Sequence, residues 1–120
     1  MLRALLFSKK GVSRMKFVYI CSPYRGDVER NCRKTEGYCL FASTQGVVPL
    51  APHLHNTRFL DDTILEQREL GLRLGLALLQ GCDEFWVFGS RITDGMAGEV
   101  EAAEKLGVPV KYFNDRCESR

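Results

Sequence analysis

The chain lacks the short patterns that mark the commonest chemistries. It has no GxGxxG turn and no Walker lysine loop, so dinucleotide redox chemistry and phosphoryl transfer from ATP lose their usual support. Its five cysteines, Cys21, Cys32, Cys39, Cys82 and Cys117, are odd in number and form no CxxC pair or zinc-like spacing, which favours reduced thiols over a disulfide framework. The two histidines, His53 and His55, have no further ligands at metal-site spacing, so neither metal nor cofactor is expected. Near the start only Ala4-Leu5-Leu6-Phe7 is continuously apolar, ringed by Arg3, Lys9, Lys10 and Arg14, too short to span a bilayer. Charge of neither sign dominates: 17 basic against 15 acidic residues leave +2, no broad field for gripping nucleic acid. The expectation is a cytoplasmic protein with neither nucleic-acid nor membrane partner.

What is present is ordinary globular material, 45% hydrophobic and 27% charged over 120 residues, enough for one core. Met15 stands directly before the first apolar run. Residues 1–14 therefore read as a flexible N-terminal extension and residues 15–120 as the working domain.

Lys16 to Cys21 is β-branched and aromatic and reads as a strand buried on both faces. Asp27 can cap a helix with Val28, Cys32, Thr35 and Cys39 on one face, ending before Gly46. Val47 to Leu50 is a short second strand, which Pro49 places near an edge. A loop from Ala51 to Phe59 carries the histidines. Asp61 or Asp62 can then cap a helix to about Gln80, with Leu65, Leu72, Leu76 and Leu79 on one side. Gly71 and Gly75 inside it cost helix stability, which suggests close packing against a neighbour. Glu84 to Phe88 is a third, central strand, Met96 to Leu106 a third helix closed by Gly107, and Val108 to Phe113 a fourth strand before a polar tail.

This β-α-β-α-β-α-β order predicts a three-layer α/β domain, Rossmann- or flavodoxin-like, with a four- to five-stranded mostly parallel sheet. If the first strand lies between the second and third, ligands bind where the loops Cys21–Asp27 and Gly89–Gly95 face each other.

The first loop joins a buried strand to a helix N-terminus, where free N–H groups favour an anion and Arg25 can add a bidentate clamp; a plain strand-to-helix turn is the simpler alternative. Only three residues separate Cys21 from Arg25, too few to wrap a phosphate around a thiolate. In the second loop Gly95 and Gly98 let backbone approach a ligand. Glu99, read in the first turn of its helix, would be kept ionised by the dipole and could attack a sugar's anomeric carbon, or be simply a helix-terminal charge. Glu101 points elsewhere.

Tyr19-Ile20-Cys21-Ser22-Pro23-Tyr24-Arg25-Gly26, histidine after the second strand, Cys82-Asp83 and Gly95-Met96 followed by Glu99 together resemble the nucleoside 2-deoxyribosyltransferase superfamily, in its DUF4406-type branch. The chain is also similar to the 2'-deoxynucleoside 5'-phosphate N-hydrolases, over about Lys16 to Phe113. The resemblance implies N-glycosidic bond chemistry on a nucleoside or its 5'-monophosphate. It assigns Glu99 as nucleophile and Tyr19 as the tyrosine beside it. It also implies that Arg25 and Gly26 belong to a sugar- and phosphate-binding turn, that Thr93 to Gly95 form a turn that can donate to phosphate, that Ser22, Pro23, Tyr24, Asp83, Met96 and Gly98 help bind substrate, and that His53 or His55 lies at the rim. It further implies a homodimer or higher oligomer in which a neighbouring subunit completes the crevice. Gly75 stands where related enzymes carry an acid, leaving Asp83, Asp94 or Glu69 to protonate the departing base. That departure keeps open a second reading, a non-catalytic sensor binding a nucleotide in the same crevice.

Overall fold

A computed structural model describes residues 15–120; the expectation of a flexible extension over residues 1–14 falls outside the described residues. Four strands form one parallel sheet: β1 (Phe17–Cys21), β2 (Val48–Leu50), β3 (Glu84–Phe88) and β4 (Val110–Phe113), in the order β2-β1-β3-β4. Chain order reverses between β1 and β3, so the crevice at their carboxyl ends is the topological switch point. The α/β architecture and the edge position of β2 agree with the sequence.

Alternation along the strands builds the two faces. Val18, Ile20, Trp86 and Phe88 point to one side, where Tyr38 and Ala42 of α1 (Val28–Thr44) cover them. Tyr19, Cys21, Phe85 and Val87 point to the other and meet Leu79 of α3 (Leu65–Gln80) and Met96, Val100 and Ala103 of α4 (Asp94–Lys105). Phe85 and Phe88 are fully buried, each contributing roughly 1.5–3 kcal/mol relative to exposure. At the amino end of the sheet the Glu84 carboxylate accepts from Lys16, Lys111 and Trp86 Nε1 at 2.9, 3.1 and 2.9 Å.

Several local expectations need correction. The helical face of α1 that reaches the core is Thr35, Tyr38 and Ala42, while Val28 is exposed, because the buried stripe is turned by one position. Ala51 to Phe59 is not an open loop: Pro52–His55 forms a one-turn helix, α2, and Asn56–Arg58 a 3-10 turn. Pro52 at the first helical position starts it, since its ring fixes a helical φ and its missing N–H would go unused. Neither Asp61 nor Asp62 caps α3. Ile64 occupies the cap position without a side-chain bond, while Asp61 accepts from the backbone and hydroxyl of Thr63.

The leucine stripe of α3 faces mostly outward, with Leu65 63% and Leu72 65% exposed; only Leu79 enters the core. Its inward line instead runs Gln67, Gly71, Gly75, Leu79. A Cβ on Gly71 would stand 3.5 Å from Leu60 Cδ1, and one on Gly75 would stand 3.6 Å from the Tyr19 hydroxyl. The glycine pair therefore packs against this chain's own elements. α4 begins at Asp94, two residues earlier than the sequence suggested, because the Thr93 hydroxyl caps it by accepting from Met96 N.

Candidate active site

Tyr19 and Cys21 leave β1 on the same face, two residues apart, and Glu99 reaches them from α4. The Tyr19 ring is fixed by stacking on Phe85, with centroids 5.0 Å apart. Its hydroxyl donates to Glu99 Oε2. The Cys21 thiol lies 3.9 Å from Oε1 and donates to it, so both carboxylate oxygens carry a donor from one strand.

Electrostatics here differ from the sequence expectation. Glu99 is the sixth residue of α4, in its second turn, beyond the free N–H groups of the helix start. Burial pushes its carboxyl above the ordinary range, and the bonds from Tyr19 and Cys21 pull it partly back. Burial, reinforced by the Glu99 charge, holds the Tyr19 phenol and the Cys21 thiol well above their usual values, so both remain donors. Gly95 stands one turn before Glu99 on the same helix face. Outside their own helix, no atom lies within 4 Å of where a Cβ on Gly95 or Gly98 would be.

The loop after β1 is pinned from below. Ser22 is buried and bonds Thr35 Oγ1 at 2.8 Å, so this side chain holds the turn and does not face the crevice. Asn31 Nδ2 donates to the carbonyls of Tyr24 and Arg25 at 3.0 and 3.1 Å. Gly26 takes a φ of +101°, which its missing Cβ permits. Pro23 packs against Gly89, whose Cβ would lie 3.6 Å from Pro23 Cδ, so the loops after β1 and β3 meet across the crevice as expected.

Other sequence candidates scatter. Arg25 is exposed and pairs with Asp62 at 3.3 Å. Tyr24 stacks on His53 with centroids 4.7 Å apart, and burial lowers the His53 pKa while nearby Asp62 opposes the shift. His55 is exposed and meets only the edge of Phe59. A wide hollow of about 800 Å³ opens beside them, lined by Tyr24, Arg25, Phe59, Asp62, Gln67 and Arg68.

Asp94 is exposed at the first position of α4, and Thr93 is committed to capping. Met96 is 2% exposed and belongs to the core, because the helix begins early and turns it inward. Asp83 lies at the wrong end of the sheet: its carboxylate accepts from Phe17 N at 2.8 Å, at the amino end of β1, remote from the crevice. Glu69 is exposed on α3. Of the residues proposed to protonate a leaving base, Asp94 starts the helix that follows the carboxyl end of β3. Among the described residues no three His, Cys, Asp or Glu side chains group to hold a metal ion, and no helix is long and apolar enough to cross a membrane.

The sequence alone gave Asn31 no role, and it did not anticipate that Thr35 holds Ser22, that Asp62 pairs with Arg25 or that the Cys21 thiol donates to Glu99. Asn31 and Thr35, four residues apart on α1, carried a signal as polar residues on its inward side.

A family model described as a domain of unknown function, DUF7768, matches residues 16–113. The chain belongs to this family. That model carries a different designation from the DUF4406-type branch the sequence resembles. No curated protein matches the chain in sequence. Among solved structures it is similar to a 2-deoxyribosyltransferase from Bacillus psychrosaccharolyticus, with a TM-score of 0.69 and 20% identity, over 82% of this chain and 72% of that one. It is also similar to a 2-desoxiribosyltransferase from Leishmania mexicana, with a TM-score of 0.60 and 19% identity, over 82% of this chain and 64% of that one. This DUF7768 domain thus has a nucleoside 2-deoxyribosyltransferase-like fold.

Proposed function

We propose that this domain cleaves or exchanges the N-glycosidic bond of a (deoxy)nucleoside or its 5'-monophosphate, with Glu99 as nucleophile. The observation that carries the reading is the Glu99 carboxylate, which holds a donor on each oxygen from the face of β1. A carboxylate so oriented starts close to the geometry of attack.

In the first step a Glu99 oxygen attacks the anomeric carbon, and the bond to the base breaks with its electron pair leaving on the base. Asp94 supplies the proton that the base takes up. In the second step water or an N–H nitrogen of a second base, either giving its proton to Asp94, attacks the same carbon and releases Glu99 as carboxylate. Tyr19 and Cys21 hold the carboxylate ionised and aimed between steps. The fold shared with two 2-deoxyribosyltransferases supports this reading, as does the alignment of Tyr19 with Glu99. A reducing, cytoplasmic setting that keeps the Cys21 thiol free belongs to the same proposal.

Gly75 favours the sensor reading instead. It leaves α3 with no acid beside the Tyr19 hydroxyl, so a ligand could be held without its base being protonated. Incubating the protein with a panel of nucleosides and 5'-monophosphates, with and without an acceptor base, and following base release by chromatography decides between them. Release that Glu99→Gln abolishes supports the enzyme. Saturable binding without release supports the sensor.

A further inference from the structure

α1 turns two polar residues, Asn31 and Thr35, toward the loop after β1. Thr35 is 1% exposed, and its hydroxyl donates to the Asn31 carbonyl, one helical turn back, at 2.9 Å. A hydroxyl has one proton, so the 2.8 Å bond between Thr35 and Ser22 must run with Ser22 donating and Thr35 accepting. The Asn31 amide carries the chain outward, giving one N–H each to the carbonyls of Tyr24 and Arg25, at 3.0 and 3.1 Å. Both amide protons are spent there. A single directed chain of hydrogen bonds therefore ties the start of the loop, at Ser22, and its middle, at Tyr24 and Arg25, to one helix.

The helix itself has no use for these two residues. Asparagine and threonine both form helices less readily than alanine, and a threonine hydroxyl bonded to the carbonyl four residues back tends to weaken a helix further. Their effect falls on the loop. The Tyr24 ring stacks on His53, the Arg25 guanidinium pairs with Asp62, and both side chains line the wide hollow, whereas neither Asn31 nor Thr35 does. Glu99 stands on a separate support, held on α4 and bonded to Tyr19 and Cys21 of β1.

We propose that Asn31 and Thr35 are positioning residues that hold Tyr24 and Arg25 in place before a ligand arrives, and so set its affinity without touching it or Glu99. A loop already fixed loses less conformational freedom on binding than one that must be ordered by the ligand. The inference rests on the reading that a (deoxy)nucleoside 5'-monophosphate is held by the loop after β1. It needs no particular chemistry at Glu99, because the two supports share no hydrogen bond.

The test begins with a readout that needs no ligand. Arg25 is exposed, so trypsin cuts the bond after it at a rate set by how often the loop lifts from α1. Asn31→Asp is nearly isosteric but turns an anion toward the two carbonyls, and cleavage after Arg25, followed by mass spectrometry, should be about tenfold faster or more. Asn31→Ala should act alike, and α1 keeps its helix because alanine is the better helix former. Thr35→Val, which loses the hydroxyl, should also speed cleavage, and Thr35→Ser should restore it. Arg33→Ala, whose side chain pairs with Glu29 on the exposed side of α1, should behave as wild type does. Circular dichroism verifies that each variant folds. With the nucleoside 5'-monophosphates of the panel, Asn31→Asp should raise KM about tenfold and leave kcat and its acid limb unchanged. If wild type releases no base, the glycosidic reading fails and dissociation constants take the place of KM; if nothing binds, the trypsin rates alone decide. Cleavage at the wild-type rate in Asn31→Asp, or a fall in kcat with KM unchanged, overturns the proposal. The effect of Glu99→Gln on base release bears only on the glycosidic reading.

Discussion

Gly75 stands directly over Tyr19: a Cβ on the glycine would lie 3.6 Å from the phenolic oxygen, which itself donates to Glu99. That distance is ordinary van der Waals contact, so alanine fits and anything longer must displace the ring. Gly75→Ala should fold and gain up to about 1 kcal/mol from helix propensity. Gly75→Leu should shift Tyr19 and with it Glu99, lowering any turnover by about a hundredfold. Thermal melts and base-release rates check the pair. Equal rates for the two variants would show that the space over Tyr19 has no bearing on the site.

The pH dependence follows from the same hydrogen bond. Burial raises the Glu99 pKa, and the donors from Tyr19 and Cys21 act against it by stabilising the ionised form. Activity that needs the carboxylate should therefore fall as pH drops, along an acid limb lying above the ordinary carboxylate range. Tyr19→Phe removes one donor to a charged group, worth about 1.5–3 kcal/mol, so the limb should move to higher pH by about 1–2 units. An unchanged limb in Tyr19→Phe would show that the tyrosine does not hold the charge.

Arg25 and Asp62 compete with any phosphate for one guanidinium. The pair is exposed and weak at 3.3 Å, so an incoming phosphate can replace the carboxylate. Arg25→Ala should weaken a 5'-monophosphate roughly ten- to a hundredfold and leave the nucleoside nearly unchanged. Asp62→Asn should strengthen the monophosphate several-fold. Binding isotherms for both ligands decide it, and equal losses for both in Arg25→Ala would contradict the assignment.

We propose that the chain self-associates, and α3 offers the surface. Leu65, Leu72 and Leu76 lie on its outer side, an apolar strip that a second copy would cover. Leu72→Glu/Leu76→Glu should convert a dimer or larger even assembly to monomer in light scattering at tens of micromolar. A monomeric wild type at that concentration would remove this part of the account.

The architecture was legible because β1 and β3 are unbroken apolar runs and the intervening helices are long enough for crossovers; the switch point followed from strand order. Glu99 and Tyr19 were legible through their motif, whose resemblance also implied that the tyrosine lies beside the carboxylate. What remained hidden had physical causes. The outward leucines of α3 mislead a periodicity argument, since the helix packs through glycines that carry no hydrophobic signal. Met96 read as the first residue of its helix and as part of the ligand-binding turn, and the Thr93 cap, by starting the helix earlier, turns it into the core. Asp83 looked close to the chemistry in sequence, but the five residues of β3 separate it from the carboxyl end of the sheet, and it accepts from Phe17 N at the amino end.

The central claim is that Glu99 attacks the sugar, and one experiment reaches it directly. The protein is incubated with a 2'-fluorinated nucleoside, whose slowed second step traps the ester, and its peptides are weighed by mass spectrometry alongside those of Glu99→Gln and Glu101→Gln. Glu101 pairs with Lys105 on the exposed side of the same helix and serves as control. The account predicts the sugar's mass on the Glu99 peptide in wild type and in Glu101→Gln. Glu99→Gln should carry none, with turnover down by several orders of magnitude. Base release by wild type without any adduct on that peptide, or equal turnover in the two glutamine variants, would contradict it.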